Sequence, residues 1–233
     1  MTARRTACLL AALLALAGCD AVPPDATIRI RSYKYFVFLP NQYESRDAWP
    51  TILFLHGATQ EVDEKEETLL YNAVPKYAAE HDDFPFIIIA PQSPPPDTWI
   101  SEQVIDLLDE IVATLRVDED RIYVTGLSMG GFGTFLLATD YPDRLAAVAP
   151  IAGGGFPDKA CGMKNVPAWV FHNAGDQIVL ASQSQAMVEA LQGCQGNVRF
   201  TLYDRPGHDA WSDTYFMPEL YDWFLSHRLS DRR

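Results

Sequence analysis

Apolar positions along this 233-residue chain follow two rhythms. Short unbroken runs such as Thr51-Ile-Leu-Phe-Leu55, Phe86-Ile-Ile-Ile-Ala90 and Leu145-Ala-Ala-Val-Ala149 read as strands. Runs apolar throughout are expected where both faces of a parallel sheet are covered. Further strands are predicted at 121–125, 167–172 and 198–203. Residues 33–39 alternate, with Tyr33, Tyr35, Val37 and Leu39 against Lys34, Phe36 and Phe38, and 28–31 is a second short candidate before them. Between these lie stretches of helical spacing. Leu69, Leu70, Ala73, Val74 and Tyr77 share one face, as do Ile100, Val104, Leu108, Ile111 and Leu115 within 99–116. Others are 132–138, 181–192 with Gly193 as its stop, and 214–227 with Pro218 in its first turn. From residue 51 onward strand and helix alternate without repeat or linker. The prediction is one α/β domain with a mostly parallel central sheet, helices on both faces and an antiparallel N-terminal hairpin opening it.

The first residues break this rhythm. Arg4-Arg5 precede an eleven-residue apolar run from Ala7 to Ala17, too short to span a bilayer and patterned like a signal peptide. It ends in Leu16-Ala17-Gly18-Cys19, which resembles the bacterial lipoprotein box. Residues 1–18 are therefore expected to be removed, Cys19 to carry lipid, 19–27 to be a polar tether, and 28–233 to form the domain. The protein would be exported and lipid-anchored to a bacterial membrane at its periplasmic or cell-surface face, touching membrane only through that anchor. Export permits a disulfide. Cys161 and Cys194 each precede a predicted strand by a few residues, so parallel neighbouring strands would bring them together at one end of the sheet.

Charge narrows the partners. The formal net charge is −13 and no basic patch interleaved with aromatics is present, which argues against nucleic acid. The acidic run at 61–67 lacks a calcium-loop pattern and reads as a solvated loop. No metal-ligand spacing occurs among the cysteines.

The chemistry gathers at Gly126-Leu-Ser-Met-Gly130, in the form G-x-S-x-G between a strand and a helix. That context describes a nucleophile elbow, with Ser128 on a sharp turn and the Met129 N–H facing the same space. Such a serine needs a base and an acid from later strand ends, in the order Ser, acid, His. His56 and His172 come too early to be last, His81 ends a polar helix, and His227 lies in the tail. His208, just past the last strand, remains. Asp176, after strand 167–172, is the preferred acid over Asp204 and Asp209, which adjoin His208 in sequence. The second oxyanion donor is expected after strand 51–55, at Ala58 or else Thr59. His56 is expected to bond the loop backbone. Trp99 and Trp211 are candidates for stacking on substrate.

Together, His56-Gly57, residues 118–133, Tyr141-Pro142 and Gly207-His208-Asp-Ala-Trp211 resemble α/β-hydrolases of the exported esterase group, which includes feruloyl and acetyl-xylan esterases, polyhydroxyalkanoate depolymerase-like proteins and predicted peptidases. The resemblance covers roughly residues 33–227. It implies the α/β-hydrolase fold, Ser128, Asp176 and His208 as catalytic residues, and no cofactor. Such proteins often carry glycines and a Glu-Arg pair after the His-Gly, whereas Ala58-Thr-Gln-Glu-Val-Asp follows here, a departure at the second oxyanion donor. No insertion is long enough for a separate lid domain, so an open cleft is expected. The expected activity is hydrolysis of small-molecule or polymer-attached esters with short-chain or aromatic acyl groups. A serine peptidase on the same fold and a catalytically silent ligand-binding lipoprotein are the alternatives.

Overall fold

The computed structural model describes residues 33–58, 73–93 and 98–232. The signal, the lipid site at Cys19, the tether, the 28–31 strand, Thr59 and the acidic 61–67 run lie outside the described residues. In chain order the elements are β1 (Lys34–Phe38), β2 (Trp49–Leu55), α1 (Ala73–Ala79), β3 (Ile87–Gln92), α2 (Ser101–Thr114), β4 (Val117–Leu127) and α3 (Met129–Asp140). Then follow β5 (Ala147–Ile151), a 3₁₀ helix (Pro157–Met163), β6 (Ala168–Gly175), α4 (Ala181–Gly193), β7 (Val198–Pro206), α5 (Trp211–Tyr215) and α6 (Pro218–Leu225).

Among the described residues these strands form one sheet in the order β1-β3-β2-β4-β5-β6-β7. All neighbours are parallel except β1, which runs antiparallel to β3 with Lys34 opposite Gln92. The two apolar clusters show why the strands read as continuous hydrophobic runs. Leu53, Leu55, Ile87, Ile89 and Val124 face one side, packed with Val104, Leu108 and Ile111 of α2, Phe135 of α3 and Leu191 of α4. Ile52, Phe54, Ile88 and Tyr123 face the other, against Val74 of α1, Tyr215 of α5 and Phe224 of α6. Strand alternation sends every second residue into a different core.

One detail differs from the sequence reading. The single helix expected over 214–227 is two, because Pro218 takes the first position of α6 instead of continuing α5, leaving Phe216 and Met217 between them. The antiparallel contact among the described residues is between β1 and β3, strands some fifty positions apart in sequence that share no turn, and the expected hairpin with 28–31 lies outside those residues.

β6 and β7 are parallel neighbours, and Cys161 and Cys194 are joined at their amino ends with Cα atoms 5.9 Å apart. The bridge ties the 3₁₀ helix to the C-terminal end of α4. The carboxyl ends of the same strands, on the far side of the sheet, carry the candidate site.

Candidate active site

β4 runs directly into Ser128, and α3 starts at the next residue. Ser128 has φ 53° and ψ −117°, the corner used by the first central residue of a type II′ turn, where a Cβ is costly and glycine leads. Its N–H donates to Ile151 O at 2.9 Å and its carbonyl accepts from Phe132 N–H at 3.1 Å. The glycine two residues on is required by close approach. A Cβ on Gly130 would lie 1.9 Å from the carbonyl oxygen of Leu55 at the end of β2. The elbow can therefore sit against the neighbouring strand only while position 130 has no side chain.

The loop after β7 presents His208, and the loop after β6 presents Asp176. Ser128 Oγ lies 2.8 Å from His208 Nε2, and His208 Nδ1 lies 2.6 Å from Asp176 Oδ2. The carboxylate only accepts, so Nδ1 carries the proton and Nε2 receives the serine O–H; the tautomer follows from the partners. The other carboxylate oxygen, Oδ1, accepts the N–H groups of Ile178 at 2.9 Å and Val179 at 3.1 Å. Burial works to raise the Asp176 carboxyl. The His208 hydrogen bond and these two backbone donors outweigh it and hold the group below its ordinary value. The loop that carries His208 is fixed in turn: Asn173 Nδ2 donates to Gly207 O at 2.9 Å, and Arg205 Nε donates to Asn173 Oδ1 at 2.9 Å.

The aspartates adjoining His208 are placed elsewhere. Asp204 is exposed on β7, and Asp209 accepts the Ser212 N–H and O–H at the start of α5. His56 bonds the loop backbone. Its Nε2 accepts the Ser93 N–H at 3.1 Å and its Nδ1 donates to Gly57 O at 2.8 Å. Gly57 lies against the elbow, since a Cβ there would be 3.4 Å from Ser128 Cβ. The His56-Gly57-Ala58 turn thus comes up beside Ser128, and the Met129 N–H, at the first residue of α3, has no intrahelical acceptor.

A cavity of about 660 Å³ opens at Ser128 and Met129. Its walls are mainly apolar: Trp99, Phe132, Phe135, Leu136 and Val179, with Phe156 and Lys159 from the segment after β5. Phe156 is 58% exposed, and Ile178 and Leu180, which flank the wall residue Val179 in sequence, are 76% and 57% exposed. Trp99 is a buried wall residue, its Nε1 donating to His56 O at 3.2 Å and its ring 5.5 Å from that of Tyr33. Trp211 takes a different place. It opens α5 and stands edge-on to His208, centroids 5.1 Å apart, outside the cavity wall.

Sequence reasoning missed most of this wall. Phe132, Phe135, Leu136 and Thr139 recur at helical spacing on α3, which is the signal that one face looks into a space, but the run reads equally as core. Phe156, Lys159, Val179 and Gln183 come from loops and helix ends with no periodicity to find them. His172 gave no signal either: it lies in β6, and only the turn that folds Asp176 back, with its N–H on Asn173 O, brings the two together.

The family model described as "Putative esterase" matches residues 28–192. Poly(3-hydroxyalkanoate) depolymerase C of Paucimonas lemoignei is 48% identical over 50 residues, 22% of this chain and 12% of that protein. Acetylxylan esterase A of Emericella nidulans is 28% identical over 134 residues, 51% of this chain and 41% of that one. The chain thus spans less than half the length of these curated relatives. Among solved structures, a thermostable esterase superposes with a TM-score of 0.73 at 30% identity, covering 83% of this chain and 59% of that one. A ferulic acid esterase superposes with a TM-score of 0.62 at 19% identity, over 85% and 92%. The fold is that of the α/β-hydrolases, and the chain belongs to the esterase family.

Proposed function

We propose that this protein is a serine esterase that hydrolyses carboxylic esters with short-chain or aromatic acyl groups through an acyl-Ser128 intermediate. The observation that carries the reading is the continuous hydrogen-bond chain from Ser128 through His208 to Asp176, at the mouth of an apolar cavity. His208 Nε2 takes the hydroxyl proton as Oγ bonds the ester carbonyl carbon. The oxygen that gains charge is met by the Met129 N–H and, from the other side, by the Ala58 N–H. The imidazolium, held by Asp176, returns its proton to the departing alcohol as the C–O bond breaks. Water then repeats the sequence on the acyl-enzyme, giving the acid and free Ser128.

The aromatic and aliphatic wall favours an apolar acyl group over a charged one, and about 660 Å³ exceeds what an acetyl group fills. Similarity to an acetylxylan esterase and a polyhydroxyalkanoate depolymerase supports esters attached to polymers as substrates. The exposed Phe156, and Ile178 and Leu180 on either side of Val179, suit such a surface. The Cys161–Cys194 bridge supports an exported protein, and lipid at Cys19 would hold it at a membrane; Cys19→Ser should then move it from the membrane fraction to the soluble one. The decisive experiment is hydrolysis of p-nitrophenyl esters of graded acyl size, with organophosphonate labelling, by wild type and Ser128→Ala. Loss of both activity and label in the variant is expected. Hydrolysis at the wild-type rate by Ser128→Ala would end the proposal.

A further inference from the structure

Behind the acid stands a second imidazole. His172, in β6, is fully buried, and its Nε2 lies 2.9 Å from Val179 O and 3.2 Å from Asp176 Oδ2, the oxygen that His208 also uses. Both neighbours are acceptors, so Nε2 carries a proton and points it between them. On its other side Nδ1 lies 2.7 Å from Ser184 Oγ, which is itself 2.7 Å from Gly153 O. Gly153 touches the nucleophile helix: a Cβ there would fall 2.5 Å from the carbonyl carbon of Gly131. Every member of this path, from Asp176 through His172 and Ser184 to Gly153, is buried.

The contacts close a ring. From Asp176 one arm runs through His208 to Ser128. The other runs through His172, Ser184 and Gly153 to Gly131 in the first turn of α3, three residues from Ser128. We propose that His172 is a positioning residue of the ester-hydrolysing site. It sets where Asp176 Oδ2 stands relative to the elbow, and through it the direction in which His208 presents Nε2. The path adds a buried side-chain link from the end of β6 to the turn after β5 and on to α3, behind the ladder that pairs Leu127 with Ile151 and Ile151 with Phe171. Buried polar networks of this kind fix one geometry because each member is costly to leave unpaired. The proposal rests on the Ser128–His208–Asp176 reading.

Two amide substitutions separate the two sides of the ring. His172→Gln places an N–H near the position of Nε2 and keeps a donor toward Val179 O and Asp176. His172→Asn places its amide near Nδ1 and leaves Asp176 without that donor. With folding checked by circular dichroism and melting, His172→Asn should lower kcat on the order of 10- to 100-fold with KM within about 2-fold, as expected for misaligned reacting groups. His172→Gln should recover most of kcat, to within about 5-fold of wild type. The low-field proton resonance of the His208–Asp176 hydrogen bond should move in the Asn variant and hold in the Gln variant. If the Asn variant does not fold, Ser184→Ala opens the ring at a hydroxyl and should lower kcat about 3- to 10-fold, again with KM unmoved. Equal losses in the two His172 variants, with an unchanged resonance, would overturn the assignment. Full activity in Ser128→Ala would instead remove the triad on which it rests, so the two failures are distinguishable.

Discussion

Ser128→Gly should give a more stable protein than Ser128→Ala. Both lose Oγ and its hydrogen bond to His208, so that loss cancels between them. They differ only in whether a Cβ is forced to hold φ 53° and ψ −117°. A non-glycine residue kept in such a sparsely populated region stores about 1–3 kcal/mol. Against this, glycine gains freedom in the unfolded chain worth about 0.4–1 kcal/mol. The balance favours glycine by about 0.5–2 kcal/mol. At about 2–4 °C per kcal/mol for a domain of this size, Tm should be about 1–8 °C higher for Ser128→Gly, with both variants inactive. Urea melts of the two variants, compared at equal m-value, give the difference directly. A Ser128→Gly protein no more stable than Ser128→Ala would refute the claim that the elbow is strained by its serine.

Three further outcomes follow from other parts of the fold. Replacing both Cys161 and Cys194 by Ser releases a loop with a sequence separation of 33, worth about 3–4 kcal/mol by chain entropy. Tm should fall by about 7–15 °C, while kcat at 25 °C stays within about 3-fold because the bridge is at the end of the sheet away from Ser128; a fall under about 2 °C, less than about 1 kcal/mol for a domain of this size, would contradict this. Gly130→Ala should yield insoluble or unfolded protein, because the methyl meets the Leu55 carbonyl oxygen, a backbone atom of a fully buried strand that cannot give way; soluble, active Gly130→Ala would show the elbow is not seated on β2 as described. Asp176 is held below its ordinary carboxylate value, so its stabilising contribution is complete above that value and is lost as pH falls from there through the depressed one. Asp176→Asn should therefore flatten that part of the acid limb of the stability–pH curve, and an unchanged limb would count against the sign of the shift.

The buried strands and the Ser128, Asp176 and His208 positions were legible in the sequence because each has a local signature. Ile87-Ile88-Ile89 is a short β-branched run of the kind carried by a strand with both faces covered, and Ser128 sits in a turn whose glycines leave a pattern. Elimination among five histidines did the rest. What was not legible depends on distance in sequence. Nothing at 33–39 says that Lys34 will lie opposite Gln92. Pro218 fits the first turn of a longer helix as well as the start of a new one, and only the packing of Tyr215 and Leu220 into one core decides. The cavity wall joins Trp99, Phe132, Phe156 and Val179 from four separate segments, and no periodicity connects them.

The polarity of the sheet has a practical side. Because β1 runs against β3, Lys34 stands level with Gln92, at the same end of the sheet as Leu55 and Leu127, and Tyr33 packs on Trp99 in the cavity wall. The C-terminal residues are at the opposite floor. The Arg232 guanidinium donates to the carbonyls of Pro142 and Leu145, ahead of β5, and Ser230 N–H donates to Asp120 low on β4 at 2.7 Å. Whatever is joined after Arg232 therefore leaves from the floor of the sheet, at the end away from the cleft. A bead, a purification tag or a carbohydrate-binding module attached there should leave the mouth clear.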